Sequence, residues 1–274
     1  MRSRTVVIAP RAGWIPHLSE LPQYRDLLAS FVRRDMSLRY RQTLLGPIWI
    51  ILQPLLGAGV FSFVFGRVAG IKIPSTVPYF LFTLVGMSLW FGVSSTLTRG
   101  TASILSNVDL VTKIYFPRVL LPLSASISTA LDSALMAVLA LVGLEITGHG
   151  PGWPVLLAPV IVGFTLAAIS CISAALGALL VNYRDVGYGV PLLTQFLLFL
   201  TPVLYPMSVV PAALRNVVRL NPLATDFELL RWSVIDGPAP SGPEILYSAL
   251  VLAALAALSL SVFSRLERDF ADVI

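Results

Sequence analysis

Arg33, Arg34, Arg39 and Arg41 place four guanidinium groups within nine residues, directly before a stretch from Gln42 to Gly66 that holds no Asp, Glu, Lys or Arg. A guanidinium is a planar fork that meets phosphate oxygens in pairs, whereas a lysine acts as a point charge. The absence of lysine from this cluster fits recognition of a phosphorylated group. Positive charge beside an apolar run also has a plainer role, since it keeps that end of the run in the cytoplasm. The second residue with chemical potential is Asp132, alone near the middle of a later apolar run. An acid at the centre of a membrane helix costs about 2.5–3.5 kcal/mol to insert, so it is expected to face the protein interior. Protonation, or a hydroxyl partner such as Ser124, Ser128 or Ser133, would satisfy it.

Other chemistries lack their residues. The only lysines are Lys72 and Lys113, and no G-x-x-x-x-G-K-[ST] loop exists to grip a nucleotide. There is no H-x-x-x-H, no C-x-x-C and no G-x-S-x-G, and His17, His149 and Cys171 are far apart. No catalytic residue and no metal site is therefore expected. The chain reads as a carrier or channel without its own engine.

These residues sit in a chain of 274 residues that is 56% hydrophobic and 12% charged, with mean hydropathy +0.84. A soluble chain carries about 25% charged residues, so a water-soluble fold is excluded. The net charge of +5 comes almost wholly from arginine beside apolar runs, a placement that implies membrane orientation rather than nucleic acid.

Taken in order, residues 1–20 form a cytoplasmic tail without periodicity. Tyr24, Leu27, Leu28, Phe31 and Val32 then recur at helical spacing, with Arg25, Asp26, Ser30, Arg33 and Arg34 on the other face. This pattern predicts an amphipathic helix lying in the membrane interface, the alternative being a core helix of a small soluble domain. The charge-free run after it is roughly 25 residues, about 38 Å as a helix, against a hydrocarbon core of about 30 Å. Spans are predicted at about 44–65, 78–98, 119–146, 154–181, 186–203 and 244–264. Between the second and third, a short helix at about 106–116 carries an S-x-x-D capping box at Ser106 and Asp109. In the fourth, Ser173 and Gly177 have the small-xxx-small spacing that lets backbones approach closely. Prolines 202, 206 and 211 break the region after the fifth span. Two short helices, about 212–220 and 223–235 and hinged at Asn221-Pro222, are expected there as a re-entrant hairpin over 209–235 dipping in from the outer side. An amphipathic pair flat on the outer leaflet is the alternative.

The expected architecture is an all-α integral membrane protein. It has a tail and interface helix (1–42), a six-helix transmembrane domain (43–264) with the re-entrant hairpin between helices 5 and 6, and a cytoplasmic tail (265–274). In this topology eight arginines before Gln42, with Arg99, Lys113, Arg118, Arg184, Arg265 and Arg268, lie inside; Arg67, Lys72, Arg215, Arg219 and Arg231 lie outside. The inner excess places both termini in the cytoplasm.

The run R-R-D-M-S-L-R-Y-R-Q-T-L-L-G-P-I-W-I-I-L-Q-P (33–54) resembles the entry segment of polysaccharide-exporting ABC transporter permeases, which serve O-antigen, teichoic acid, capsule and galactan export. N-V-D-L-V-T-K-I-Y-F-P-R (107–118), N-Y-R-D-V (182–186), T-P-V-L-Y-P (201–206) and R-L-N-P-L (219–223) follow in the family's order. The resemblance implies a homodimer in the bacterial inner membrane, joined to two cytoplasmic ATP-binding subunits that hold ATP and Mg, with no cofactor in this chain. A lipid-linked glycan would pass between the two copies. By position, Asn107, Leu110, Lys113, Phe116 and Arg118 would couple to the ATPase. Arg33, Arg34, Arg39 and Arg41 would meet the substrate head group at the entrance. Arg215, Arg219, Asn221, Pro222 and Arg231 would form the outer gate. Two rivals share parts of this pattern: a permease of the same architecture exporting a drug or small lipid, and an ion-coupled secondary transporter using Asp132.

Overall fold

The computed structural model describes residues 22–40, 46, 48–114, 116–267 and 270. The tail at 1–20, Arg41, Tyr115, Arg268 and the start of the first apolar run lie outside the described residues. The described residues form ten α-helices: α1 (Arg25–Tyr40), α2 (Ile48–Phe61), α3 (Tyr79–Ala102), α4 (Val108–Lys113), α5 (Leu120–Ile146), α6 (Ala158–Asn182), α7 (Val186–Leu200), α8 (Ala212–Arg219), α9 (Pro222–Ile235) and α10 (Gly242–Leu266). A π-helical segment, Ser62–Val68, continues α2, and a 3₁₀ turn, Trp153–Leu157, leads into α6. No strand occurs among the described residues.

Five helical segments are long and apolar enough to cross a membrane: Ile48–Val68, Tyr79–Ala102, Leu120–Ile146, Trp153–Asn182 and Gly242–Leu266. α7 is apolar but has only 15 residues, about 22 Å of helix. Its apolar run stops at Leu200 rather than 203, because Pro202 cannot donate to the helix ladder and the residue before a proline is pushed towards extended backbone. Thr201 is extended accordingly.

Local chemistry sets the helix ends. Asn221 caps α9 by accepting a hydrogen bond from Leu223 N at 3.1 Å, and Pro222 occupies the first helical position, where its missing N–H costs nothing. Ser241 and Glu244 form a capping box at the start of α10. α5 closes on Gly148 at φ +74°, with His149 N donating to Leu144 O at 2.9 Å. That left-handed closure needs glycine, and it turns the chain out of α5.

α3 is the central element. Its most apolar window is 78% buried, against 11% for α2 and α10, so the latter two lie at the periphery. α5, α6, α7 and α9 surround it, with Leu81, Phe82, Leu84, Leu89 and Trp90 in the shared core. Small residues permit the closest crossings. A Cβ on Gly100 would lie 2.2 Å from Ser173 Oγ, and one on Gly177 would lie 3.0 Å from Thr101 O. Ser173 and Gly177 thus do bring two backbones together, and the partner is α3. Hydroxyl pairs Thr96–Thr129 (2.6 Å) and Ser126–Ser170 (2.9 Å) bridge α5 to α3 and α6, as polar groups must when no water is near.

A second apolar cluster at one end joins Phe31 of α1 to Ile104, Val111, Phe116, Val119 and Leu120, with Phe263 and Phe270. α1 therefore has a packing surface within the same chain. Its apolar face meets α5 and the loop around α4.

Candidate functional site

One end of the molecule is built around α1. Arg34 donates through Nη2 to Asn107 Oδ1, and Asn107 Nδ2 donates to Ser103 O at 2.7 Å. Phe31 meets Phe116 edge to face, ring centroids 5.5 Å apart. Eight residues further along α1, Arg39 donates through Nη2 to Asp35 Oδ2 at 2.6 Å and through Nη1 to Asp132 Oδ2. Arg99 Nη1 lies 3.8 Å from Asp35 Oδ2. Arg33 is exposed. Two groups of residues expected to act separately, the entrance arginines and the coupling residues, are thus joined through one helix.

Three expectations are corrected here. Asp132 has neither a hydroxyl partner nor isolation: Ser124 and Ser128 donate to backbone carbonyls, and the carboxylate pairs with Arg39. Arg39, expected among the entrance arginines, reaches it because α1 packs along α5. The helix at 106–116 is shorter, Val108–Lys113, and the capping box is not formed. Ser106 follows the C-terminus of α3 by one turn and its Oγ donates back to Ala102 O at 2.9 Å, so it is unavailable to Asp109. Phe116 is buried beneath α1 rather than displayed, and Leu110 packs partly against the same cluster. A carboxylate placed at Phe116 would enter an apolar cluster, so that position reports on folding, not on docking.

What this loop does expose is Leu105, Asp109, Thr112, Lys113 and Ile114. Lys113 pairs with Asp109 at 3.0 Å on the surface. Arg118 faces the C-terminal segment: Nη1 donates to Glu267 O at 2.6 Å and the guanidinium stands 5.3 Å from the Phe270 ring centroid.

The other end is organised by a different arginine. Arg231 is buried in α9 and donates to the carbonyls of Pro202 and Val203, with the guanidinium carbon 3.9 Å from the Phe82 ring centroid. T-P-V-L-Y-P leaves carbonyls that no helix can use, and the five-donor fork answers them. Tyr79 Oη adds a bond to Leu204 O at 2.7 Å. Arg215 likewise donates to Val210 O and Ser208 O, and Arg219 pairs with Glu244 at 2.9 Å. Asn221 Nδ2 donates to Thr201 Oγ1 at 2.8 Å, so the predicted hinge is tied to the end of α7. α8 and α9 stand where two short helices were expected. α9 is buried among its neighbours, while α8 buries no residue.

Asp226 was not foreseen from the sequence. Thr165 Oγ1 of α6 and Ser248 Oγ of α10 donate to its two oxygens at 2.6 and 2.7 Å, so one carboxylate ties three helices. An acid at the fifth helical position after a proline has the look of a solvated helix start, and nothing local marks its two distant partners. Asp35 did carry a signal, its i,i+4 spacing to Arg39.

Among the described residues no group of three metal-ligating side chains comes together. The described residues do offer a basic helix wired to the α4 loop and a proline-rich turn clamped by arginines. The pattern of the ABC-2 type transporter family covers residues 26–235. The chain belongs to that family. It is 32% identical over 257 residues to the O-antigen export system permease protein RfbA of Myxococcus xanthus, covering 93% of this chain and 98% of that protein. It is 27% identical over 254 residues to a protein of the same name from Klebsiella pneumoniae, covering 91% and 95%. All five motifs lie within the family match, and the ABC permease resemblance drawn from them is borne out.

Proposed function

We propose that this ABC-2 transporter protein is the permease subunit of an ATP-driven exporter of O-antigen or a related lipid-linked surface glycan. The observation that carries the reading is the near full-length similarity to O-antigen export permeases. It acts as a homodimer with two cytoplasmic ATP-binding subunits, which supply the P-loop that this sequence lacks. The chain crosses the inner membrane six times with both termini inside. α7 supplies the short pass: it follows α6 from the level of Gly100–Thr101, and the turn after it meets Tyr79 and Gly86 at the opposite end of α3. α8 and α9 form the outer hairpin, with Arg231 fixing its base. The exposed part of the α4 loop, Leu105, Asp109 and Ile114 in particular, receives the ATPase. The entrance arginines of α1 receive the phosphorylated head group.

Deleting the gene tests this. Glycan synthesis should continue while polymer disappears from the cell surface and lipid-linked polymer accumulates inside. Affinity capture of the permease in mild detergent should bring down an ATP-binding subunit in equal amount. Surface polymer at normal levels in the deletion strain would rule the reading out.

A further inference from the structure

At the end of the molecule away from α1, a cavity of about 240 Å³ lies between α8, α9 and the segments that lead into α3 and α10. Ser75, Arg215, Arg219, Glu228, Arg231 and Glu244 line it, among others. An apolar groove of about 350 Å³ runs on the neighbouring side of α8, walled by Phe65, Ile71, Val209, Leu214 and Val218 among others. One helix serves both. Leu214 and Val218 form one i,i+4 pair of α8, and Arg215 and Arg219 form the next, about 100° further round. We propose that cavity and groove together bind one aminophospholipid, with its phosphate between Arg215, Arg231 and Ser75, its ammonium at Glu228 and an acyl chain along the groove. The proposal depends on the membrane spans and not on what is exported.

Four observations carry it. The first is depth. The walls come from the ends of three spans: Phe65 from Ile48–Val68, Ser75 from just before Tyr79–Ala102, and Glu244 from the start of Gly242–Leu266. Lipid head groups lie at the ends of spans, and basic pockets between spans hold them. The second is unmet polarity. Arg231 is 4% exposed, yet its Nε and the Oγ of Ser75 are buried without a hydrogen-bond partner. Phosphate oxygens accept from both, and a buried donor is costly to leave unmet. Arg215 directs Nε to Val210 O and Nη2 to Ser208 O, which leaves Nη1 for the same anion. The third is charge of both signs. Arg219 is paired with Glu244 at 2.9 Å. Glu228 makes no hydrogen bond or ion pair among the described residues, although the charges of Glu244, Arg219 and Arg231 all reach it. An anion alone would face the Glu228 carboxylate, and an amine alone would face the guanidinium groups; a zwitterion satisfies both. A primary ammonium donates to a carboxylate and a quaternary one cannot, which selects an ethanolamine head over a choline head. The fourth is α8 itself, which buries no residue and leaves Leu214, Val217 and Leu220 more than half exposed. The polar cavity is smaller than the roughly 300 Å³ at which drug-sized pockets begin, so it takes a head group and the chain must leave it. The groove beside Leu214 receives that chain, and the lipid thereby fastens α8 to the ends of the spans.

The test uses the full-length permease, with any subunit that accompanies it, in detergent micelles. Native mass spectrometry with added phosphatidylethanolamine, phosphatidylcholine or phosphatidylglycerol gives relative affinities, and amide exchange of residues 212–220 reports on α8. Phosphatidylethanolamine should bind the wild type at least fivefold more tightly than either of the others and slow exchange in α8. Glu228→Gln should abolish the preference over phosphatidylcholine. Arg215→Gln should weaken all three lipids about fivefold. Ser75→Ala removes a hydroxyl that has no partner in the fold and should weaken all three about threefold, which keeps the test valid if either of the other variants fails to assemble. Equal affinity of the wild type for phosphatidylethanolamine and phosphatidylcholine, an ethanolamine preference that survives in assembled Glu228→Gln, or unchanged binding in Ser75→Ala overturns the proposal. Tightest binding of phosphatidylglycerol would make this an anion site and overturn the zwitterion assignment. Glycerophosphoethanolamine, which has no acyl chains, displacing the lipid at equal concentration would assign the cavity to a soluble amino phosphate and overturn the lipid assignment. The export reading stands or falls separately, on surface polymer in the deletion strain.

Discussion

Arg34 and Arg39 at one end of this protein and Arg215 and Arg231 at the other use the same side chain for opposite purposes. Arg34 and Arg39 bind side-chain acceptors, Asn107, Asp35 and Asp132. Arg231 and Arg215 bind backbone carbonyls of a proline-rich turn. A backbone carbonyl cannot rotate away or accept a proton, and those of Pro202 and Val203 have no alternative donor in the helix ladder. Removing Arg231 leaves buried acceptors unmet. A side-chain acceptor is different, because it can turn, and another anion can take its place. The Arg231 cluster is thus fitted to hold a shape and the Arg39 cluster to exchange partners.

The largest effect expected from breaking this contrast is at Arg231. Arg231→Ala removes two charge-assisted bonds and the stacking on Phe82, and should cost about 4 kcal/mol of stability, read as the loss of unfolding midpoint in detergent. Arg231→Lys should recover less than half, since the compact ammonium has no planar fork to span both carbonyls while stacking on Phe82. An Arg231→Ala midpoint within a degree or so of wild type would remove the distinction between the two ends.

Gly86 sharpens the same point. A Cβ there would stand 2.6 Å from Val203 O and 2.8 Å from Arg231 Nη2. Gly86→Ala must displace the clamp, at a cost of about 2 kcal/mol. Gly163, with nothing within 4 Å of its Cβ position, is the control and should lose no stability.

Arg39→Lys together with Arg41→Lys keeps both charges and loses the forks. Stability should fall by less than about 1 kcal/mol and accessibility labelling should show unchanged orientation, while substrate-stimulated ATPase of the reconstituted complex drops several-fold. Full stimulation would reduce the cluster to an orientation signal.

The smallest structural effect belongs to the exposed loop. Ile114→Asp should change stability by no more than about 0.5 kcal/mol, yet reduce the ATP-binding subunit recovered in affinity capture. Recovery equal to wild type would move docking to the turn at Arg184.

The apolar runs were legible in the sequence because a membrane span is a property of composition over about twenty residues. No partner is needed to recognise Tyr79–Ala102 or Gly242–Leu266, and the hinge at Asn221-Pro222 was equally plain because cap and proline act within three residues. The sequence by itself therefore determined the helical class, the positions of five long spans and the motifs that mark the family. Pairing across the chain was beyond it. Arg39 and Asp132 are 93 residues apart, Arg231 and Pro202 are 29 apart, and Asp226 meets Thr165 across 61. Each pair depends on which helix lies beside which, and that is settled by where small residues such as Gly86, Gly100 and Gly177 let backbones meet. The position of Phe116 depends on the same thing: its loop looks exposed in one dimension, and only the return of α1 across it shows that the ring is covered.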